Sequence, residues 1–500
     1  MKVARPVLRG PRRREASGLP DQLSHTRPVA AARFDDPNLM STAGLVPVMA
    51  LAQASGLLTL ADQQLSVPTD KGANPGRKVA SLVGGMVAGA DSIADLAILR
   101  HGAMGTIFDR PYAPSTLGSF LRQFTFGHVR QLDAVASRFL GNLAEKTVLV
   151  SGIDTGRVLV DIDDTIIEVH GHGKQGSGYG YSGVRGLNAL IATVTTETAA
   201  PVILTQRLRR GACGSPRGAA RMVADALATV DRLRSQARGA HVGCSSGDGA
   251  SKPLIRCDSA FYGHPTIGAA IRAGADVSVT VRLTSTVKRA IASIQDDAWT
   301  PIEYTDAVYD EGTDTWISRA EVAETPFTAF ASQKKAHQIP GRLVVRRIPG
   351  QRPPKDQGQG TLFDVWRFHA FFTTTDPDEL DTVDADKTHR QHAVIEQVHA
   401  DLKNSALAHL PSNSFSANAA WLVAAVMAFN LTRAAATLTG DPKLTKATTG
   451  TLRRTLVSVP ARIASSARRL TLHLPTHWPW ETAWHNLFDS TFGRNQPIIT

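Results

Sequence analysis

Near residue 147 the spacing of apolar residues changes period, and that change restricts the chain to a helical part followed by an α/β part. From about 41 to 145, apolar positions recur every three or four residues, as in LVPVMALAQASGLLTLADQQ and RKVASLVGGMVAGA, which predicts helices. Beyond 147, TVLVSGI, RVLVDID, NALIATVTT and PVILTQRL are β-rich, and SPRGAARMVADALATVDRLRSQA is an amphipathic helix. PLIRCD reads as a short buried strand, TIGAAIRAGA as a helix and DVSVTVRL as another strand. That order predicts an α/β domain with a mixed sheet.

Residues 284–385, which include GRLVVRRIPG, the polar segment QRPPKDQGQG and DVWRFHAFFTTT, interrupt the α/β alternation as a mostly β insertion. The insertion carries Trp299, Trp316 and Trp366. A helix containing residues 389–403 resumes the pattern, and a further helix covers 416–437. The expected divisions are a basic arm (1–40), a helical region (41–146), the first part of the α/β domain (147–283), the insertion (284–385), the second part (386–437) and a basic C-terminal region (438–500).

Length and charge agree with this division. A chain of 500 residues exceeds one simple core. Hydrophobic content of 42% and charged content of 20% are those of a globular protein. A net charge of +11 favours polyanionic partners, nucleic acid first. Cys213, Cys244 and Cys257 fit no zinc spacing and are odd in number, so unpaired thiols in a reducing, cytoplasmic compartment are expected. WLVAAVMAFNL at 421–431 is about half a membrane span and reads as a buried helix. The N-terminal MKVARPVLRGPRRREASGLP has charges and no hydrophobic segment, so it is no secretory signal.

In HRQHAVIEQVHADLK, His389, His392 and Lys403 stand at minus seven, minus four and plus seven from Glu396. On one helix running to about Pro411 they would share a face, with His399 in the same stripe and Ile395, Val398, Leu402 and Ala406 on an adjoining apolar face. A carboxylate on a rigid support among basic groups suits an acidic metal ligand beside phosphate. VLVDIDDT places Asp161 and Asp163 on one face of a strand end and Asp164 on the other, and Asp258 ends the strand PLIRCD. Three carboxylates from separate elements can hold two hard divalent cations about 4 Å apart, the geometry of in-line phosphoryl transfer on nucleic-acid backbones.

Lesser motifs lie around these. PYAPSTLGSFLRQFTF offers a turn, a cap at Ser115 or Thr116 and a short helix, which could be the second helix of a helix-turn-helix presenting Arg122 to DNA. HGHGKQGSGYGYSG lacks the ending of a P-loop and reads as a flexible hairpin near the site, with His170 and His172 as surface residues. Glu396 and His399 form a Glu-x-x-His pair, but no second pair on a partner helix completes a di-iron site.

Taken together, these residues resemble those of bacterial insertion-sequence transposases of the DDE type, in the group with a Y-x2-R-x3-E-x6-K signature. Glu396 and Lys403 match its E and K. Asp163-Asp164-Thr165 matches the family's D-x-T, and Asp258-Ser259-Ala260-Phe261 matches its second aspartate, with a small residue and an aromatic after it. PSNSFSANAAWLVAAVMAFNL, with Asn418 and Asn430, resembles the stretch downstream of the glutamate helix in relatives. His389 and His392 hold the tyrosine and arginine positions, a departure from the signature.

The resemblance implies a ribonuclease-H-like α/β fold and an N-terminal helical DNA-binding region. Asp163, Asp258 and Glu396 would be catalytic ligands of two Mg²⁺ ions, with Mn²⁺ able to substitute and Asp161 in reserve for the first aspartate. His389, His392 and Lys403 would contact phosphate, and Trp299 or Trp316 would stack on a displaced base, an interaction contributing about 1–3 kcal/mol. The partners implied are double-stranded DNA, as terminal inverted repeats and target, and a second copy of the chain on paired ends. Cleavage would proceed by a cut-and-paste hairpin route in the bacterial cytoplasm, at the nucleoid. Two alternatives stay open: a degraded transposase that only binds DNA, and a His/Glu metalloenzyme built on the 389–403 stripe.

Overall fold

The computed structural model describes residues 31–493 except 69, 172, 241–250, 311–314, 350–365 and 467–468, and only the backbone of 240, 304–310, 315–318 and 349. The basic arm up to residue 30, His172, Cys244, the segment 351–360 and the Trp316 side chain therefore lie outside the described residues.

A two-residue strand β1 (Leu39–Met40) precedes six helices: α1 (Leu45–Ala54), α2 (Leu57–Gln64), α3 (Pro75–Ala88), α4 (Met104–Ile107), α5 (Pro114–Arg122) and α6 (Phe126–Lys146). The α/β part comprises β2 (Leu159–Glu168), β3 (Gly178–Tyr179), β4 (Arg185–Thr195), β5 (Val202–Arg210), α7 (Ala219–Ala240), β6 (Leu254–Cys257), α8 (His264–Arg272), β7 (Asp276–Thr280) and α9 (Ser285–Ala292). Next come β8 (Thr300–Asp310), β9 (Thr315–Ala329), β10 (Ile339–Pro349), β11 (Trp366–Thr373), α10 (Thr382–Arg390), α11 (Val394–Lys403) and α12 (Phe415–Thr437). The chain closes with α13 (Pro442–Lys446), α14 (Thr449–Leu452), β12 (Ala461–Ser466), β13 (Arg469–His473) and α15 (Glu481–Phe492).

The sheet is mixed, as expected, and runs β3-β4-β2-β6-β7-β11-β10-β9-β8, with β5 also paired to β4. Among the described residues only β2, β6 and β7 are parallel neighbours. β4 is buried along nearly its whole length, and its run NALIATV is the continuous apolar pattern of a strand covered on both faces. The insertion does not form a layer of its own. β11 pairs antiparallel with β7 through Phe371 and Thr280, so β8–β11 prolong the same sheet and cover what would otherwise be an open edge.

α12 ties the two parts together. It is buried on all sides, packs against α6, α3, α5 and β5, and is long and apolar enough to cross a membrane, yet its apolar window is wholly inside the protein. Asn430 on this helix accepts from the Ile203 N–H at 3.0 Å and donates to the Ile203 carbonyl at 2.8 Å. It thereby satisfies β5 beside the register shift at Thr193, and Asn418 does the same for Ser412.

Four local expectations need correction. TVLVSGI forms turns, and its Leu149, Val150 and Ile153 plug the core. The Asp161–Asp164 run lies within β2, because β4 pairs antiparallel with it through Glu168. The 389–403 segment is not one helix: α10 ends at Arg390, a 3-10 turn covers Gln391–Ala393, and α11 ends at Lys403, well before Pro411. Finally, α5 begins at Pro114 after Ala113, with no side-chain cap from Ser115 or Thr116, because proline suits the first helical position.

Candidate active site

The site begins where a long strand outruns a short one. β2 pairs in parallel with β6 in the register Leu159↔Leu254 through Ile162↔Cys257, and β6 stops there. The next position on each strand is Asp163 and Asp258, so two acidic residues distant in sequence stand level at the point where the pairing of these neighbouring strands ends. Asp258 leaves the strand to accept a hydrogen bond from the Ala260 N–H at 3.0 Å, which starts a 3-10 turn. Taken as a whole residue Asp258 is exposed, although its carboxyl is partly enclosed, and Asp163 is partly buried.

The other two acids of the run are committed elsewhere. Asp161 is fully buried, and Arg256 from β6 grips it in a fork, Nε and a terminal nitrogen each donating at 2.7 Å. His392 adds Nδ1 at 2.9 Å from the same carboxylate. Both Asp161 oxygens are thus occupied, which removes it as the reserve metal ligand. Asp164 faces the opposite side of the sheet, where Arg209 donates to it at 2.7 Å and Asn188 also donates to it. Arg209 continues to the carbonyls of Ser215 and Arg217, so Asp164 anchors the turn before α7.

α11 packs across β2 and carries Glu396, His399 and Lys403, while His392 stands in the 3-10 turn before it and His389 on α10. Because the 3-10 turn winds at three residues per turn, it rotates His389 by about 60° relative to a continuous α-helix. His389 therefore lies over β7, bonded to Ser278 Oγ at 2.8 Å and Thr280 Oγ1 at 3.0 Å, with its ring stacked on Phe371. His392 reaches Asp161, His399 Nδ1 lies 3.6 Å from Asp163 Oδ2, and Lys403 is half-buried near Asp163. Glu396 sits in the first turn of α11, between His392 of the 3-10 turn and His399, and is exposed. No group of three or more His, Cys, Asp or Glu side chains among the described residues is placed to hold a metal ion. The structure brings Asp163 and Asp258 together and carries Glu396 on the helix beside them, without closing the three into one ligand set.

Electrostatics show what this pocket lacks. Burial above all, with the Asp258 and Asp164 carboxylates adding to it, pushes Asp163 up to about 7 against the pull of the Asp164 backbone N–H and His392. Burial and Asp164 likewise raise Asp258. Around them the imidazoles are held neutral, His399 down to about 4 and His389 to about 3, mainly by burial and then by nearby cations. Burial also lowers Lys403. Two crowded carboxylates with few charged partners fit a hard cation, since oxygen donors are what such ions take. His389, expected to contact phosphate, is spent on Ser278, Thr280 and the Phe371 ring.

The other nucleic-acid candidates stand outside this pocket. Arg347 lies between Trp299 at 4.2 Å and Trp366 at 4.5 Å and is held by Glu321, so one face of Trp299 is already covered. Arg122 is exposed at the end of α5, where its guanidinium donates to Ser119 Oγ at 3.0 Å. In the Gly-rich segment, Lys174 donates to the Leu410 and Ser412 carbonyls and the Gln175 N–H to Asn413, so the hairpin is tied to the loop before α12. Sequence reasoning missed Arg256 and Arg209. Each is a charged residue inside an apolar strand, which demands a buried partner and is therefore a legible clue.

Compared with known families, residues 22–492 match the one described as transposase DDE domain group 1. No curated protein matches the chain.

Proposed function

The chain belongs to the DDE transposases, nucleases and strand transferases that act on DNA, and from that premise we propose that Asp163, Asp258 and Glu396 are its catalytic carboxylates. The level placement of Asp163 and Asp258 at the end of β6 carries this reading. Magnesium, or manganese in its place, would be held by these carboxylates and would supply Lewis-acid activation and charge neutralisation at the phosphate. Glu396 would join the two aspartates from α11, whose position over β2 is fixed by His392 on Asp161.

Lys403 is assigned to phosphate, since it is the cation on α11 nearest Asp163. His392 is assigned to positioning, because its ring is spent on Asp161. Hydrolysis at an element end would break a P–O bond and leave a 3′-hydroxyl, whose attack on the opposite strand would give a hairpin and free the element for transfer. The helical region 41–146, with Arg122 exposed, is assigned to recognising the ends, and two copies would act on paired ends.

Cleavage of cognate end DNA tests the reading directly. Glu396→Gln should shift the DNA in a gel but leave it uncut in Mg²⁺. Cutting at the wild-type rate would remove Glu396 from the site. A wild-type protein that binds but never cuts would favour the alternative of a degraded transposase.

A further inference from the structure

One side of Asp258 opens onto a cationic surface that the carboxylate site does not use. The 3-10 turn capped by Asp258 ends at Tyr262, which stacks on Phe330 with ring centroids 5.2 Å apart. Phe330 has φ +60°, a strained value for a non-glycine residue, and opens the loop joining β9 to β10. Gln338 fixes that loop by donating to the Ala331 and Gln333 carbonyls, both at 3.0 Å. His337 from the loop lies against His264 at the start of α8, with centroids 4.3 Å apart. Two turns along the same face of α8 stands Arg272, and the His264 and Arg272 side chains both approach the bare flank of Gly268.

Lys334, Lys335 and Arg272 are exposed, and among the described residues no carboxylate pairs with any of them. The His337 ring and Arg272 also help burial to hold His264 below its usual value, as expected where cations crowd without a counter-ion. A fixed loop and a helix face that gather basic groups in this way present a positive potential that attracts a polyanion. The aromatic rings here are occupied with one another and with the core, so they offer no open face to a base.

We infer that Arg272, Lys334, Lys335 and His337 form a backbone-binding surface for duplex DNA that continues from the Asp258 side of the site. This rests on the transposase reading and adds to it the path along which DNA leaves the carboxylates. The surface reads charge and shape, and so contributes affinity with no sequence preference.

The test is anisotropy of a labelled random-sequence duplex, titrated with the full chain in EDTA over a range of salt. Arg272→Gln/Lys334→Gln/Lys335→Gln should bind roughly tenfold more weakly at fixed salt, with the slope of log affinity against log salt smaller by about 0.9 for each phosphate no longer neutralised. Lys334→Arg/Lys335→Arg should retain wild-type binding, and all variants should melt at the wild-type temperature because the substituted side chains are exposed. Unchanged affinity and slope in the folded triple variant would overturn this surface and leave the transposase reading standing. A wild-type chain with no affinity for any duplex would overturn both.

Discussion

Arg256 and Asp161, from adjacent strands, form a fully buried two-point ion pair, and the same guanidinium donates onward to the Thr388 carbonyl at the end of α10. One side chain thus links β6, β2 and the segment leading to the glutamate helix. Replacing Arg256 by Met should destabilise the protein by about 3–5 kcal/mol, because the buried Asp161 charge would lose its two-point partner and keep only the His392 ring. Asp161→Asn should do comparable damage, read as a lower denaturation midpoint. A stable Asp161→Asn protein that had lost only cleavage would instead make Asp161 a catalytic group.

Asp163 predicts the opposite behaviour. Its folded value of about 7 lies above the ordinary aspartate value of about 3.9, so its contribution to stability is complete below about 4 and is lost as pH rises through 7. At pH 8, Asp163→Asn should therefore raise the melting temperature of the metal-free protein. Mg²⁺ should stabilise the wild type, by about 2.7 kcal/mol at a hundredfold excess over Kd, and should not stabilise the variant. An equal response of both proteins to Mg²⁺ would place the ion elsewhere.

His389 titrates with the reverse sign. Its folded value near 3 is below the ordinary 6.5, so its contribution is present above about 6.5 and is lost as pH falls towards 3. The loss approaches at most about 1.4 kcal/mol per pH unit, less what water screens at a partly exposed ring. His389→Gln should flatten the acid limb of the stability profile. An unchanged acid limb would mean that another group sets it.

Trp299 packs on Arg347 and, at 6.2 Å between centroids, near Phe368. Trp299→Ala should cost the insertion about 1–3 kcal/mol of stability by removing its burial and its cation–π interaction, measured by denaturation. DNA affinity should be unchanged. A variant with full stability and weaker binding to single-stranded DNA would return Trp299 to base stacking.

Periodicity identified residues 41–145 as helical, the strands NALIATVTT and PVILTQRL, the helix in SPRGAARMVADALATVDRLRSQA and the buried α12, because each is patterned over many residues. It failed at TVLVSGI, whose apolar side chains fill a core from turns, and at residues 391–393, where one tight turn redirects His389. The carboxylates themselves were visible as residues. Their division of labour was not, since strand alternation puts Asp161 and Asp163 on one face and gives no reason to prefer either.

By itself the sequence determined most of the element types, the acid-bearing strands and the spacing of Glu396 and Lys403, all of which depend on local backbone preference and side-chain period. Only the tertiary structure decided that Asp161 is structural and that Asp163 stands level with Asp258. Those outcomes depend on the register of β2 with β6 and on Arg256, 95 residues from its partner. Pairings across such distances are selected by packing of the whole sheet, to which no local stretch of sequence is sensitive.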